Sequence, residues 1–254
     1  MNALHILLWG VLPYLVALTL LGGLVWRYRY DQFGWTTRSS QLYESRLLRI
    51  ASPLFHYGLF VVLMGHLLGL LIPKSWTDLV VSQETYHMVA LGAGTVAGIA
   101  TLVGIGLLIY RRRTTGPVFL ATTRNDKLMY VVLTAAIVLG MIATLTGGHY
   151  PTGEEHNYRE TVSIWFRSLL VFSPDVEAMA ESTWQFQVHV LVGLSLIALV
   201  PFSRLVHAFT VPLHYLFRPY VVYRSRDAVA PTPSRGRVRG WDPVGTQDRD
   251  RKTK

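Results

Sequence analysis

The stretch IASPLFHYGLFVVLMGHLLGLLI, residues 50–72, runs for 23 residues without a formal charge. A helix rises about 1.5 Å per residue, so this run is long enough to cross the roughly 30 Å hydrocarbon core of a bilayer. It also carries two imidazoles, His56 and His66. An ionisable ring inside a membrane costs free energy unless something binds it, so such residues are read first as functional.

Four further uncharged apolar runs lie outside this one, at 4–26, 88–110, 128–146 and 184–203. The chain has 254 residues, 51% of them apolar, and the apolar residues come in membrane-length blocks. The expected fold is all-α, a polytopic membrane protein with five transmembrane helices. The first run is too long for a signal-peptide core and no small-residue cleavage pattern precedes Arg27, so it is read as a retained span. The last run carries His189 and is expected to continue as helix past Arg204 to His207.

Basic residues give the expected orientation. The first connector holds Arg27, Arg29, Arg38, Arg46 and Arg49, and the third holds Arg111, Arg112, Arg113, Arg124 and Lys127. Arg204, Arg218, Arg224 and Arg226 follow the fifth run. The second connector has only Lys74, and the fourth sets Arg159 and Arg167 against six acidic residues. The N-terminus is therefore expected outside and the C-terminus in the cytoplasm, in a multi-pass protein of the cytoplasmic (inner) membrane. The net charge of +9 follows from these loops and from attraction to anionic lipid, so the expected partner is the bilayer and not nucleic acid.

Residues 1–227 are read as one membrane domain and 228–254 as a basic, low-complexity cytoplasmic tail. That tail has too few hydrophobes to fold alone. Residues 212–223, aromatic and basic, are expected along the inner interface. In the fourth connector Val162, Trp165, Phe166, Leu169 and Leu170 recur at helical spacing. They predict a short amphipathic helix on the outer surface, either covering the bundle or roofing a pocket.

There is no cysteine, which excludes disulfides, thiolate-held iron–sulfur clusters in this chain and thioether-attached haem. Any metal must be held by His, Met or oxygen. Two antiparallel spans with two histidines each could supply both axial ligands to two b-type haems. His56 and His66 differ in depth by about 15 Å, and His189 and His207 by about 27 Å along a straight helix. Chain direction pairs His66 with His189 at the outer level and His56 with His207 at the inner level. The depths do not match, so tilt, the breadth of a porphyrin or a bend at Pro201 has to absorb the difference. Gly58, Gly65, Gly69, Gly92, Gly94 and Gly98 could give a macrocycle room, or could simply let helices pack. Met64 or Met88 could also ligate. His5, His149, His156 and His214 are read as interfacial polarity. His87, beside Tyr86 at the start of the third span, is the exception: it could take a proton from a quinol near the outer haem.

Several of these stretches resemble one family. Ser52-Pro53-Leu54-Phe55-His56, Gly65-His66-Leu67-Leu68-Gly69 and Pro201-Phe202-Ser203-Arg204-Leu205-Val206-His207, with Val211-Pro212, Pro13-Tyr14 and Arg38-Ser39-Ser40-Gln41, are similar to the gamma subunit of respiratory nitrate reductase. The resemblance covers residues 1–227. It implies two b haems ligated by His56, His66, His189 and His207, and oxidation of menaquinol or ubiquinol near the outer haem, at Gly65, His66 and the start of the third span. It further implies cytoplasmic partners: an iron–sulfur beta subunit and a molybdenum-cofactor alpha subunit that reduces nitrate. Arg111, Arg112 and Arg113 could then meet a partner's acidic patch or serve only as inside charge. Three other readings stand beside this one. A similar cytochrome could serve another reductase, a reading made less favoured by the short tail and the lack of a cysteine motif. A histidine-based metal transporter would want acidic residues beside the histidines, and those spans have none. A plain anchor would leave four imidazoles unexplained.

Overall fold

The computed structural model describes residues 2–35, 38–150, 152–153 and 156–209. The interfacial segment 212–223, His214 and the tail 228–254 lie outside them.

Six principal helices occur: α1 (Ala3–Tyr30), α2 (Leu48–Leu71), α3 (Gln83–Thr114), α4 (Arg124–Thr146), α5 (Val162–Leu170) and α6 (Trp184–Leu199). No β-strand occurs among the described residues. Five helices are long and apolar enough to span a membrane: α1 to α4, and α6 with the 3-10 turn that follows it. Charged flanks extend the first four spans beyond their apolar runs at one end or both. α3 begins at Gln83, where the Ser82 side chain caps the Thr85 N–H, and α4 begins in a Thr123/Asp126 capping box.

α2 and α3 form the most intimate pair, because glycine lets their backbones meet. A Cβ on Gly104 would lie 2.5 Å from the Phe55 nitrogen, and one on Gly58 would lie 2.9 Å from the Ala97 carbonyl oxygen. α4 packs on α3 on one side and on α6 on the other, and α6 also meets α1.

The last span is not one continuous helix to His207. Its α-helix ends at Leu199, a 3-10 turn covers Val200–Phe202, Ser203 is extended, and a second 3-10 segment runs from Arg204 to Phe209. Pro201 lacks the N–H needed to continue an α-helix. The expectation of continuous helix past Arg204 to His207 is therefore corrected.

At the opposite end of the bundle, α5 is the amphipathic helix read from the sequence. It packs over the ends of α1 and α2. Trp165 is 3% exposed and stands edge-on to Trp9, with ring centroids 6.1 Å apart. Pro13 cannot donate to the Trp9 carbonyl four residues back, and the Trp165 indole N–H takes up that oxygen at 2.8 Å. Ser163 and Arg167 donate to the Gly69 and Leu70 carbonyls of α2. These contacts satisfy helix-terminal oxygens that would otherwise be orphaned.

His156 is a correction too. It is buried rather than interfacial, with Nδ1 against the Gly147 carbonyl at 2.9 Å and Nε2 against the Thr161 hydroxyl at 3.0 Å. Burial lowers its pKa, and the Gly147 carbonyl only partly opposes this. The unfolded chain then binds the proton more readily than the fold does. Stability contributed by the neutral ring is complete above the unfolded value of about 6.5 and declines as pH falls below it. In detergent, the melting temperature of the wild type is expected to fall more steeply below that pH than that of His156→Gln. Identical slopes would remove the assignment.

Candidate functional site

The four span histidines come together in two pairs. His66 and His189 have ring centroids 5.9 Å apart at an interplanar angle of 44°, and His56 and His207 have centroids 6.3 Å apart at 67°. Each pair takes one ring from α2 and one from the last span. His207 meets His56 after the break at Pro201, where extended backbone and 3-10 turns replace a straight α-helical path.

The imidazoles are held by their inner nitrogens. Nδ1 of His56 lies 2.7 Å from the Ser52 carbonyl oxygen, Nδ1 of His66 lies 2.8 Å from that of Val62, and Nδ1 of His207 lies 2.6 Å from that of Arg204. A carbonyl can only accept, so these rings carry their proton on Nδ1, and Nε2 presents a lone pair. The same arrangement orients metal-ligating histidines in general. His189 differs: its Nδ1 is buried and closes no regular hydrogen bond.

Helix packing leaves room between the facing rings. α2 and α6 scarcely touch each other; α2 lies on α3 and α5, while α6 lies on α4 and α1. These two histidine-bearing spans are also the least buried of the five. His66 is exposed and the other three rings are half-buried, although all belong to apolar helices. Of the glycines read as making room, Gly65 and Gly92 face open space. Gly58, Gly69 and Gly98 instead admit Thr101, Tyr158 and Met141, so their role is packing. Gly140 of α4, not singled out from the sequence, lies against His189: a Cβ there would be 3.0 Å from Cε1 of that ring.

Among the described residues, no three His, Asp or Glu side chains gather as a cage for a metal ion. Each histidine pair offers two donors and no more.

Near the His66–His189 pair lies a small aromatic group. Tyr158 packs against Gly69, three residues after His66, and stacks on Phe186, three residues before His189, with centroids 5.7 Å apart. Its hydroxyl lies 3.3 Å from that of Tyr86, whose ring is covered by the Arg159 guanidinium at 4.2 Å. Burial, followed by the Tyr86 contact, raises the Tyr158 pKa. His87 is exposed on the first turn of α3. No periodicity marks Tyr158 in the sequence, since it sits in an irregular connector.

At the other end, buried arginines fix the chain. Arg111 is 2% exposed and bonds Glu44 and Ser40, and Arg112 bonds Tyr130 and Thr122. Their hydrogen-bonding groups are turned inward, which speaks against the partner-contact role for Arg111 and Arg112, one of the two roles left open for the three arginines. The Leu47 N–H and then Arg111 lower the pKa of Glu44.

The sequence matches the family described as nitrate reductase gamma subunit over residues 5–226. It is 59% identical over 236 residues to the nitrate reductase-like protein NarX of Mycobacterium tuberculosis, covering 92% of this chain but only 36% of that protein's length. It is 41% identical over 221 residues to the nitrate reductase gamma chain of Bacillus subtilis, covering 87% of this chain and 98% of the relative. It is 31% identical over 232 residues to the respiratory nitrate reductase 1 gamma chain of Escherichia coli, covering 89% and 100%. With two facing imidazole pairs on a five-helix bundle and this breadth of similarity, the chain belongs to the nitrate reductase gamma subunit family.

Proposed function

We propose that this chain is the membrane cytochrome b subunit of a respiratory nitrate reductase, oxidising quinol near the outer face and passing electrons inward. The observation that carries the reading is the spacing of the imidazole pairs across a gap between spans that scarcely touch. A metal–imidazole bond is about 2 Å and a ring nitrogen lies about 1.1 Å from its centroid, so one metal between two imidazoles separates centroids by about 6 Å. Both pairs have that separation. Two donors are fewer than the three or four protein ligands usual for a bare ion, whereas two imidazoles are the set that a b-type haem would need from the protein.

His66 and His189 would hold the outer haem and His56 and His207 the inner one. When bound, haem would supply one-electron iron chemistry there. The chain's own part is to hold four rings in two facing pairs, three of them with Nδ1 bonded to a backbone carbonyl so that Nε2 presents the ligating lone pair. For the quinol, Gly65 and His66 offer an open face beside the outer pair. His87 and Tyr86 stand at the outer end of α3, where an imidazole near neutral pH suits proton acceptance. Tyr158, between Gly69 and Phe186, would wall that region.

The arginine-rich end would face the cytoplasm by the positive-inside rule, in the cytoplasmic membrane. There the end of the bundle that carries His56 and His207 would meet an iron–sulfur beta subunit, which would pass the electrons to a molybdenum-cofactor alpha subunit that reduces nitrate in anaerobic respiration. Arg113, Arg124 and Lys127 are the basic side chains of the third connector left to meet such a partner.

The test is an absorption spectrum of membranes containing the chain, oxidised and then reduced with a quinol analogue. Two bis-imidazole b haems per polypeptide, reduced by quinol and reoxidised by nitrate, are expected. A colourless chain would end the proposal. The NarX identity favours a second reading, a like module serving a different reductase. Quinol-reduced haem that nitrate fails to reoxidise would favour it.

A further inference from the structure

The two histidines of α2 sit in regular helix and bond carbonyls four residues back, so local geometry alone orients them. His207 has no such support, because it follows a chain break. Its ring orientation depends on Arg204, whose carbonyl accepts from Nδ1 at 2.6 Å. Arg204 in turn is fixed by its side chain. Its Nε lies 2.8 Å from one carboxylate oxygen of Asp126 and its Nη2 lies 2.8 Å from the other. This two-pronged arrangement is the most directional ion pair available to proteins. Asp126 is 2% exposed and is itself locked by the capping box with Thr123 at the start of α4.

Three more contacts hold the same segment. Arg27 of α1, 6% exposed, donates from Nε to the Pro201 carbonyl at 2.5 Å, and a Cβ on its neighbour Gly23 would lie 2.5 Å from that of Pro201. The Asn125 amide donates to the Phe202 carbonyl, and the Trp35 indole N–H donates to the Val206 carbonyl at 3.0 Å. Every one of these clamps acts on residues 201–206, and none reaches the His66–His189 pair.

We infer that Asp126 is a positioning residue for the inner haem: through Arg204 it sets the orientation of the His207 imidazole, and it has no such hold on the outer pair. This rests on the haem reading above. Removing the carboxylate takes away the two-pronged hold on the Arg204 side chain, leaving its longer contact from Nη1 to the Arg38 carbonyl, and so loosens the residue whose carbonyl orients the ring. A ring free to rotate and tilt binds the oxidised and reduced iron with altered preference.

The experiment is a redox titration and electron paramagnetic resonance spectrum of the two haems, using membranes with the full-length chain. Wild type, Asp126→Ala and Asp126→Glu are compared, and His207→Ala and His189→Ala identify which signal belongs to which haem. In Asp126→Ala the signal lost in His207→Ala is expected to change shape. Its oxidised-to-reduced equilibrium should shift about tenfold, equivalent to about 59 mV for one electron. The other signal stays in place, and Asp126→Glu restores most of the shift. If Asp126→Ala does not accumulate, Arg204→Lys is read instead, since lysine keeps the charge but loses the fork. Two unchanged signals, or equal disturbance of both, would overturn the inference while leaving the haem reading intact. A wild-type chain without haem would overturn that reading itself.

Discussion

Replacing His189 with alanine is expected to remove one of two haems from the membrane-bound chain and to abolish its reduction by quinol. The expectation follows from the pairing. His189 faces His66 at 5.9 Å, and among the described residues no other histidine joins either ring. On the haem reading, loss of His189 would leave His66 alone to hold the group. Changes only in the outer shell of a metal site already cost about 10–100-fold, so loss of a ligand should lower quinol-driven reduction by at least about 100-fold. His66→Ala should give the same spectrum as His189→Ala, and the double variant should be no worse than either single one. Such non-additivity marks two groups acting as one unit. His56→Ala and His207→Ala should remove the other haem instead. If His189→Ala and His66→Ala affected different haems, the pairing would be wrong.

A second large effect is expected at Gly104, far from any ligand in sequence. Its missing side chain lets α3 touch the α2 backbone at Phe55, where a Cβ would stand 2.5 Å from the nitrogen and 2.6 Å from Cα. Backbone cannot move aside as the end of a flexible side chain can. Gly104→Val should therefore cost about 3 kcal/mol or more, the upper end of the overpacking range. Phe55 is the residue before His56, so the displaced helix also carries the inner ligand with it. Reduced accumulation in the membrane, and loss of the inner haem from what does accumulate, are the expected results. Gly106→Val, at a position facing open space two residues on, should be close to wild type in both measures. A Gly104→Val chain that accumulates and binds two haems normally would show that the interface yields easily.

Much of this architecture was legible from residue types. Uncharged runs of membrane length located all five spans, and the 3.6-residue recurrence of Val162, Trp165, Phe166 and Leu169 located the surface helix. Chain direction was enough to say which histidines share a level. What periodicity could not supply was the break after Leu199. Apolar residues continue across it, and Pro201 is as compatible with a kinked helix as with a stop. The mismatch between spacings of ten and eighteen residues was the visible symptom of that break. The clamp was hidden for a related reason. Arg27, Arg111, Arg112 and Arg204 read alike as inside charge, and only tertiary contact separates those turned inward from those facing out. The Thr123-Arg124-Asn125-Asp126 capping signature was readable, but its link to Arg204 lies 78 residues away in the chain. His156 had no distinguishing pattern at all, because its burial is created by an irregular connector.

Because each facing pair draws one ring from α2 and the other from the last of the five spans, neither pair exists on a chain that is still being made. While the first four helices are threading into the bilayer, His56 and His66 wait as half-sites. On the haem reading, cofactor capture would thus be timed by synthesis: nothing could be gripped from both sides until the final helix has entered. A ribosome stalled before Trp184 should leave a product with normal early spans and no pigment.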